Sequence, residues 1–300
     1  MAFDAGANRL ERLTEPTDLA QESWSTLLDL ALREDLGESL LQGDLTCQWF
    51  LDASVEIIAD FRLRQPGVVS GLGLVAELFV KLDPQIKLKI LSEEGAYCEA
   101  GQGLAQIHGP ARSILAGERV ALNFLQRLSA VATATRRYVE AVQGTGAKIC
   151  DTRKTAPGWR YLEKAAVRAG GGVNHRFGLF DAVMIKDNHL MGTGAELHEK
   201  VRHFRTTNPT VPLMIEADTL EQVRQFVSWP ELDLVLLDNM PVAMLEQAVA
   251  LRRPGLLFEA SGGVTLDTVR AIAETGVDRI SVGALTHSAG SLDIGLDVLS

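Results

Sequence analysis

The sequence contains few of the residues that mark disulfide-rich, zinc-binding or membrane-spanning proteins. Its 300 residues include only three cysteines, Cys47, Cys98 and Cys150. Such an odd and widely spaced set indicates neither a disulfide framework nor a zinc site, and it favours a reducing compartment. No apolar run approaches the roughly 20 residues of a membrane span, and the N-terminus lacks the basic and apolar regions of a signal peptide. We therefore expect a cytoplasmic protein with no membrane partner.

Positive charge is also in deficit. Lysine and arginine together number 29 against 39 acidic residues, which gives a formal net charge of -10 at pH 7. An acidic chain of this kind is not expected to bind nucleic acid, because the phosphate backbone requires a basic surface. The apolar fraction of 46% and the charged fraction of 23% are typical of a globular protein, and 300 residues accommodate one large or two medium domains.

The cations are concentrated locally, between Asp151 and Leu190. Some of them have helical spacing: Arg160, Lys164 and Arg168 lie at i, i+4 and i+8, which is typical of a solvated helix face. The others lie at strand ends or in glycine-flanked turns, where loops carry function; they are Arg153, Lys154, His175, Arg176 and Lys186. Several cations that converge on one place indicate a small substrate with several negative charges.

Two patterns divide the chain. Residues 55–109 alternate like short strands separated by glycine, whereas βα alternation begins further along the chain. Apolar runs predict parallel strands over Lys148–Cys150, Ala182–Ile185, Leu213–Ile215, Leu234–Leu237, Leu257–Glu259 and Arg279–Val282. We therefore predict an α/β protein with an N-terminal α+β sandwich-like domain over 18–130 and a (β/α) barrel over 131–289. Residues 1–17 are expected to form a loose lead-in, and residues 290–300 to pack back on the first domain.

Polar or small residues recur where these strands end, namely Arg153, Lys186, Glu216, Asp238, Ser261 and Gly283. In a (β/α) barrel such positions share one mouth. The Ser-Gly-Gly turn at 261–263 and the later Gly283 fit a phosphate site, because glycine lets backbone N–H groups approach phosphate oxygens. Glu216 and Asp238 each end an apolar run, where a charged group is tolerated only beside a partner such as Lys186 or another neighbouring cation.

Eight segments of the chain resemble, in the same order, those of one enzyme family. They are ERVALNFLQRLSAVAT, DTRKTAPG, GGGVNHRFGL, IKDNHL, LMIEADTLEQ, LVLLDNM, FEASGGV and SVGALTHS. The family is quinolinate phosphoribosyltransferase, and the resemblance extends over nearly the whole chain after about Ser23. Several collinear segments are a stronger signal than any single motif. The resemblance implies that the barrel is open and incomplete.

The resemblance also implies a reaction. Members of the family transfer the phosphoribosyl group of 5-phosphoribosyl 1-pyrophosphate to quinolinate, releasing pyrophosphate and carbon dioxide and giving nicotinate mononucleotide for NAD biosynthesis. It implies Mg²⁺, held directly or indirectly by Glu216 and Asp238, and a homodimer or a larger assembly of dimers.

Residue roles follow from the same resemblance. The catalytic residues that it implies are Lys154, Lys186, Glu216 and Asp238. The quinolinate ligands are Arg119, supplied by the partner subunit, together with Thr152, Arg153, His175, Arg176 and Lys186. The phosphoribosyl pyrophosphate ligands are Lys154, Glu216, Asp238, Ser261, Gly262, Gly263, Ser281, Val282 and Gly283. Arginine suits this task because its planar fork binds carboxylates with two bonds.

The residues taken by themselves leave other functions open. Lys186 at a strand end is also where a barrel aldolase forms its Schiff base. A protein that only binds anions would use the same cations, although it would not need Glu216 and Asp238 beside a phosphate site. A relative acting on another pyridine or azole acid also fits, because the sequence does not define the shape of the pocket.

Overall fold

A computed structural model describes residues 9–12, 16–40, 43–190 and 196–299. The chain divides into two compact units. The antiparallel-sheet unit comprises Pro16–Arg136, Thr155–Gly171 and Leu285–Ser300. The parallel-sheet unit comprises Met1–Glu15, Arg137–Lys154 and Gly172–Ala284.

The strands of the described residues are β1 (Glu56–Leu63), β2 (Gly67–Val68), β3 (Lys87–Ile90), β4 (Tyr97–Cys98), β5 (Gly103–Pro110), β6 (Lys148–Cys150), β7 (Val183–Ile185), β8 (Leu213–Ala217), β9 (Leu234–Asp238), β10 (Leu257–Ser261), β11 (Arg279–Ser281) and β12 (Ile294–Val298). The helices are α1 (Thr17–Leu36), α2 (Leu45–Phe50), α3 (Leu72–Leu82), α4 (Ala111–Ala141), α5 (Arg160–Ala169), α6 (Asp187–Leu190), α7 (Leu197–Thr207), α8 (Leu220–Val227), α9 (Val242–Val249), α10 (Leu266–Glu274) and α11 (Ala284–His287). A short 3-10 helix spans Arg9–Arg12. None of the described helices combines the length and the apolar character that a membrane span requires.

The antiparallel-sheet unit is built on a sheet with the strand order β12-β1-β5-β3. The central strand β1 buries Ala59, Phe61 and Leu63, which alternate along one of its faces, and the intervening Asp60 is buried as well. The last strand, β12, pairs antiparallel with β1, so that Leu296 lies opposite Phe61. The C-terminal segment is therefore an edge strand of this sheet.

Helix α5 corrects the prediction of a solvated basic face. Arg168 is exposed and Arg160 is partly buried, but Lys164 is completely buried. The neighbouring Glu163 is also completely buried and accepts two hydrogen bonds from Arg127 on α4, at 2.6 and 3.1 Å. The spacing of cations did not reveal this, because α5 also buries apolar residues on both sides of Lys164 and is therefore enclosed on more than one side.

The parallel-sheet unit contains the strand order β6-β11-β10-β9-β8-β7, with every pair parallel. Its strands agree with the predicted ones to within two residues, because buried parallel strands are continuous apolar runs that are easily recognised. The edge strands β6 and β7 form no ladder with each other in the described part of the chain. The predicted α/β class and the open form of the barrel are confirmed.

Residues 9–12 are not part of a loose lead-in, contrary to the prediction for 1–17. Leu10 is 5% exposed and belongs to an apolar cluster with Ala182, Met184, Met214, Leu234 and Leu236. Arg9 donates to Asp233 Oδ1 at 2.7 Å and to the carbonyl of Pro209 at 2.7 Å. The apolar side chain of Leu10 and the ion pair between Arg9 and Asp233 hold this helical turn on the parallel sheet. A single apolar residue in a polar segment is too weak a pattern for the sequence to predict such packing. Residues 1–8 and 13–15 lie outside the described residues.

Candidate active site

A cavity of about 410 Å³ lies at the carboxyl ends of the parallel strands. Its lining consists of Thr152, Arg153, Lys154, His175, Arg176, Met184, Lys186, Glu216, Leu236, Asp238, Asn239, Ser261, Gly262, Gly263 and Ser281. Most of the predicted site residues therefore come together in one place, which we call the anion pocket. They do so because all strands of a parallel sheet direct their carboxyl ends to the same side.

Three predicted residues do not line the anion pocket. Arg119 lies on α4 of the antiparallel-sheet unit, with an exposed side chain. Val282 is buried and donates its backbone N–H to the carbonyl of Cys150 at 2.9 Å. Gly283 follows Val282 and precedes α11.

The cations of the pocket differ in their exposure. Arg153 and Lys154 are exposed, whereas Arg176 is buried and donates to the carbonyl of Ala182 at 3.0 Å. Burial, and then the nearby charge of Arg153, lower the pKa of the Arg176 guanidinium. An anion that binds between Arg153 and Arg176 would relieve their repulsion, so this arrangement favours anion binding.

The acidic side of the pocket is formed by the ends of β8 and β9. Lys186 donates to Glu216 Oε2 at 2.7 Å, and the Glu216 side chain is only 9% exposed. One carboxylate oxygen from each of Glu216, Asp218 and Asp238 lies within 4.8 Å of the others. Asp218 was not predicted from the sequence, although it follows Glu216 by two residues and therefore lies on the same side of the extended chain.

A buried carboxylate, Glu259, lies in the middle of β10 and was also missed. It accepts from Arg279 Nε at 3.0 Å and from the hydroxyl of Ser281, and His175 Nε2 lies 3.3 Å from its Oε1. Burial alone would raise the pKa of Glu259, but its contacts with His175, Arg279 and Ser281 lower it to about 2. A charged residue inside an apolar strand requires such partners. The position of Glu259 within an apolar run was therefore the sequence signal that could have predicted a buried ion network.

His175 is held from several directions. Its Nδ1 accepts from the backbone N–H of Arg176 at 2.7 Å, so the ring proton lies on Nε2, which faces Glu259. Its own backbone N–H donates to Asp151 Oδ1 at 2.8 Å, and the same carboxylate accepts from the side chain of Asn174. The loop that carries Arg176 is therefore fixed to the end of β6, through the completely buried Asp151.

Two family models match the chain. The model described as "Quinolinate phosphoribosyl transferase, N-terminal domain" matches residues 44–129, and the one described as "Quinolinate phosphoribosyl transferase, C-terminal domain" matches residues 131–297. The chain belongs to the quinolinate phosphoribosyl transferase family.

Named relatives of the quinolinate phosphoribosyl transferase family agree with this assignment. The chain is 42% identical over 273 residues to a "Probable nicotinate-nucleotide pyrophosphorylase [carboxylating]" of Bacillus subtilis (strain 168), covering 91% of this chain and 92% of that protein. It is likewise 42% identical to the "Nicotinate-nucleotide pyrophosphorylase [carboxylating]" of Mycobacterium leprae, with 89% and 94% covered. A solved nicotinate-nucleotide pyrophosphorylase from Francisella tularensis superposes with a TM-score of 0.86 at 33% identity, over 96% of this chain and 98% of that one.

The Glu259 network predicts a specific pH dependence of stability. Because the pKa is lowered from 4.5 to about 2 in the folded protein, the network contributes fully above about pH 4.5 and is lost as the pH falls toward 2. We expect Glu259→Gln to lower the free energy of unfolding at pH 7 by about 3–5 kcal/mol, since it leaves Arg279 buried without its charged partner. The variant should also lose part of the wild-type pH dependence between those values.

Urea titrations followed by circular dichroism at several pH values measure this effect. Glu274→Gln is the matched control, because Glu274 is exposed and pairs only with Arg270 on its own helix among the ion pairs of the described residues. A Glu259→Gln variant with wild-type stability at pH 7 and the wild-type slope below pH 4.5 would contradict the prediction.

Proposed function

We propose that the anion pocket catalyses phosphoribosyl transfer from 5-phosphoribosyl 1-pyrophosphate to quinolinate, giving nicotinate mononucleotide, pyrophosphate and carbon dioxide. The observation that carries this proposal is the pairing, in one cavity of a quinolinate phosphoribosyl transferase family member, of several cations with a group of carboxylates. The cations match two anionic substrates. The carboxylates match a metal-bound pyrophosphate and a sugar carbon that becomes positive.

The two carboxylates of quinolinate are bound by the cationic side of the pocket in this proposal. Arg153 and Arg176 are the principal ligands, because bidentate guanidinium–carboxylate pairs are strong and directional. Thr152 lines the same cavity and adds a hydroxyl donor. His175 differs from them, because both of its ring nitrogens already face partners within the protein. Its direct participation would require one of those contacts to be exchanged.

Phosphoribosyl pyrophosphate occupies the other side of the pocket. Lys154 and Lys186 supply positive charge for the pyrophosphate, and the glycine turn after β10 supplies a backbone surface on which a phosphate can lie closely. Gly262 has φ +98° and Gly263 has φ +59°, which are conformations that favour glycine.

The donor set at this end fits Mg²⁺. Glu216, Asp218 and Asp238 offer carboxylate oxygens within 4.8 Å of one another, and Mg²⁺ binds carboxylates together with substrate phosphates. These carboxylates would hold the ion, which would supply positive charge to the departing pyrophosphate. The protein itself contributes the ion pair between Lys186 and Glu216. This pair restricts the Lys186 ammonium to a position beside the leaving pyrophosphate.

The bond changes balance without a protein nucleophile. The ring nitrogen of quinolinate forms a bond to C1 of the ribose, while the bond from C1 to the pyrophosphate oxygen breaks and its electron pair leaves with pyrophosphate. The 2-carboxylate then leaves as carbon dioxide, and its electron pair remains on C2, where the positive ring nitrogen stabilises it until a proton is taken up. The carboxylates of Glu216 and Asp238 stabilise the positive charge that develops at C1.

Two competing chemistries are disfavoured by the geometry. A Schiff base needs a neutral amine, whereas the Lys186 ammonium is paired with Glu216 at 2.7 Å. A cysteine nucleophile is also disfavoured, because Cys150 at the end of β6 is completely buried and does not line the anion pocket, and burial raises its pKa to about 12. A protein that only binds anions would use the same cations, so only a measurement of turnover distinguishes it from the proposed enzyme.

Arg119 completes the pocket from a partner subunit in this proposal. Its support is the family resemblance, the exposed position of Arg119, and its absence from the lining of the anion pocket. Large apolar side chains are also exposed in both units, as expected for surfaces that a partner covers; they include Leu45, Trp49, Phe50, Leu179 and Phe180. The cytoplasmic location expected from the sequence is part of the same proposal, and the three cysteines are free thiols, as a reducing compartment allows.

The first prediction concerns the substrate. Incubation with quinolinate, phosphoribosyl pyrophosphate and Mg²⁺ should give nicotinate mononucleotide by mass spectrometry, with label released from the 2-carboxylate as carbon dioxide. Nicotinate should be about ten- to a hundredfold poorer, since loss of one charge-assisted contact costs about 1.5–3 kcal/mol. Equal turnover of the two acids would mean that the proposed substrate is wrong.

Magnesium should strengthen the binding of phosphoribosyl pyrophosphate, and calorimetry measures this without turnover. Excess chelator should weaken binding about tenfold or more, and Glu216→Gln and Asp238→Asn should each remove part of the Mg²⁺-dependent gain. Glu274→Gln, a surface substitution of the same kind, should behave as the wild type. Unchanged affinity in excess chelator would exclude the proposed role of the ion.

Mixing two inactive variants tests the shared pocket. Arg119→Ala and Lys186→Ala should regain activity after subunit exchange, because a mixed dimer has one site with both defects and one site with neither. Random mixing makes about half of the dimers mixed, so about a quarter of all sites should recover.

The matched control mixes Arg153→Ala with Lys186→Ala. Both positions line the same pocket of one chain, so no site can be repaired by exchange. Differently tagged subunits report that exchange has occurred. Confirmed exchange without recovery of the Arg119 pair would show that Arg119 does not act in trans.

A further inference from the structure

Asn239, which directly follows β9, has an unusual backbone. Its φ is +52°, whereas the other described residues with positive φ are glycines. The left-handed region is unfavourable for residues with a Cβ, and asparagine tolerates it better than most. Residues held in such conformations cluster at functional sites, and Asn239 lines the anion pocket.

The contacts of Asn239 join the ends of two strands. Its backbone N–H donates to the carbonyl of Ser261 at the end of β10, at 2.8 Å. Its side-chain Nδ2 donates to Asp238 Oδ2 at the end of β9, at 2.7 Å. A Cβ at position 262 would lie 2.1 Å from Asn239 Oδ1, so the glycine there is what permits this arrangement.

We propose that Asn239 is a positioning residue that orients the Asp238 carboxylate and couples it to the glycine turn at 261–263. This inference rests on the proposed function, in which Asp238 and the turn serve the same substrate. With one carboxylate oxygen held by the Asn239 amide, Asp238 presents its other oxygen in a defined direction.

The chemical nature of the donor matters. Glu216 is held by a cation, Lys186, which offsets its charge. Asp238 is held by a neutral amide, which orients the carboxylate without adding positive charge. Its negative charge therefore remains available to bind Mg²⁺ and to stabilise the positive charge that develops at the ribosyl carbon.

Three substitutions distinguish the role of the Asn239 side chain from the role of its backbone conformation. Asn239→Gly keeps the left-handed φ and the N–H that bonds to Ser261, but removes the amide. Asn239→Asp keeps the size and the tolerance of positive φ, but places a second carboxylate beside Asp238. Asn239→Ala removes the amide and also disfavours the backbone conformation. A purely structural role would make Asn239→Gly harmless.

We expect Asn239→Gly to keep the wild-type melting temperature within a few degrees. Its kcat should fall about tenfold or more, as expected for loss of a hydrogen bond to a charged group. The KM for phosphoribosyl pyrophosphate should rise, while the KM for quinolinate stays within about twofold, because the cations on the other side of the pocket are untouched. Asn239→Asp should be no better than Asn239→Gly, and Asn239→Ala should lose thermal stability as well.

Binding of inorganic pyrophosphate with Mg²⁺, measured by calorimetry, separates this inference from the proposed reaction. The Asn239→Gly variant should bind this probe about tenfold more weakly than the wild type, even if quinolinate proved not to be the acceptor. Asn208→Gly is the matched control, because it also removes a side-chain amide bond, to Phe204, but does not line the pocket. Wild-type kcat and wild-type probe affinity in Asn239→Gly would overturn the inference, as would a fully active Asn239→Asp.

Discussion

Glu259 carries its charge inside β10, where its side chain is completely buried, and neighbouring side chains are arranged around that charge. Arg279 and Ser281 approach it from β11, and His175 approaches it from the loop after the glycine run. A buried ion of this kind is tolerated only when its partners are close and well oriented. The same contacts that satisfy Glu259 therefore determine where Ser281 and His175 stand, and both line the pocket.

The pocket itself is a balance of repelling charges. Arg153 and Arg176 lie close enough for the first to lower the pKa of the second, while the ends of β8 and β9 bring acidic groups to the opposite side. Like charges that lie this close repel one another, and partners of opposite sign reduce that repulsion. Substrates with several negative charges, accompanied by a divalent cation, would complete both sets at once. This complementarity is why the proposed reaction suits the site better than a single anion would.

The acidic side also shows how similar residues acquire different tasks. Glu216 and Asp238 both end apolar strands, but Glu216 is paired with the Lys186 ammonium and Asp238 is oriented by the neutral amide of Asn239. The first arrangement holds a cation in place beside the proposed leaving group. The second preserves a negative charge near the position proposed for the ribose. Neighbouring strand ends thus supply distinct electrostatic functions from nearly the same chemistry.

Local sequence was sufficient for the parallel strands and for most of the pocket residues. An apolar run such as LVLLD predicts a buried strand, and the parallel arrangement then brings Asp238 and Glu216 to the same edge. Helical spacing, by contrast, misjudged Lys164, and a polar composition concealed the buried Leu10.

The sequence by itself determined the class of fold, the family and the identity of the charged groups, because those depend on local periodicity and on motifs read in order. Only the tertiary structure decided which charges are paired. Three interactions join residues that are distant along the chain or that belong to different strands. They are the Glu259 network, the ion pair between Arg9 and Asp233, and the hydrogen bond from Asn239 to Ser261. Their partners are chosen by how the strands and loops pack, and no spacing within one segment of sequence contains that information.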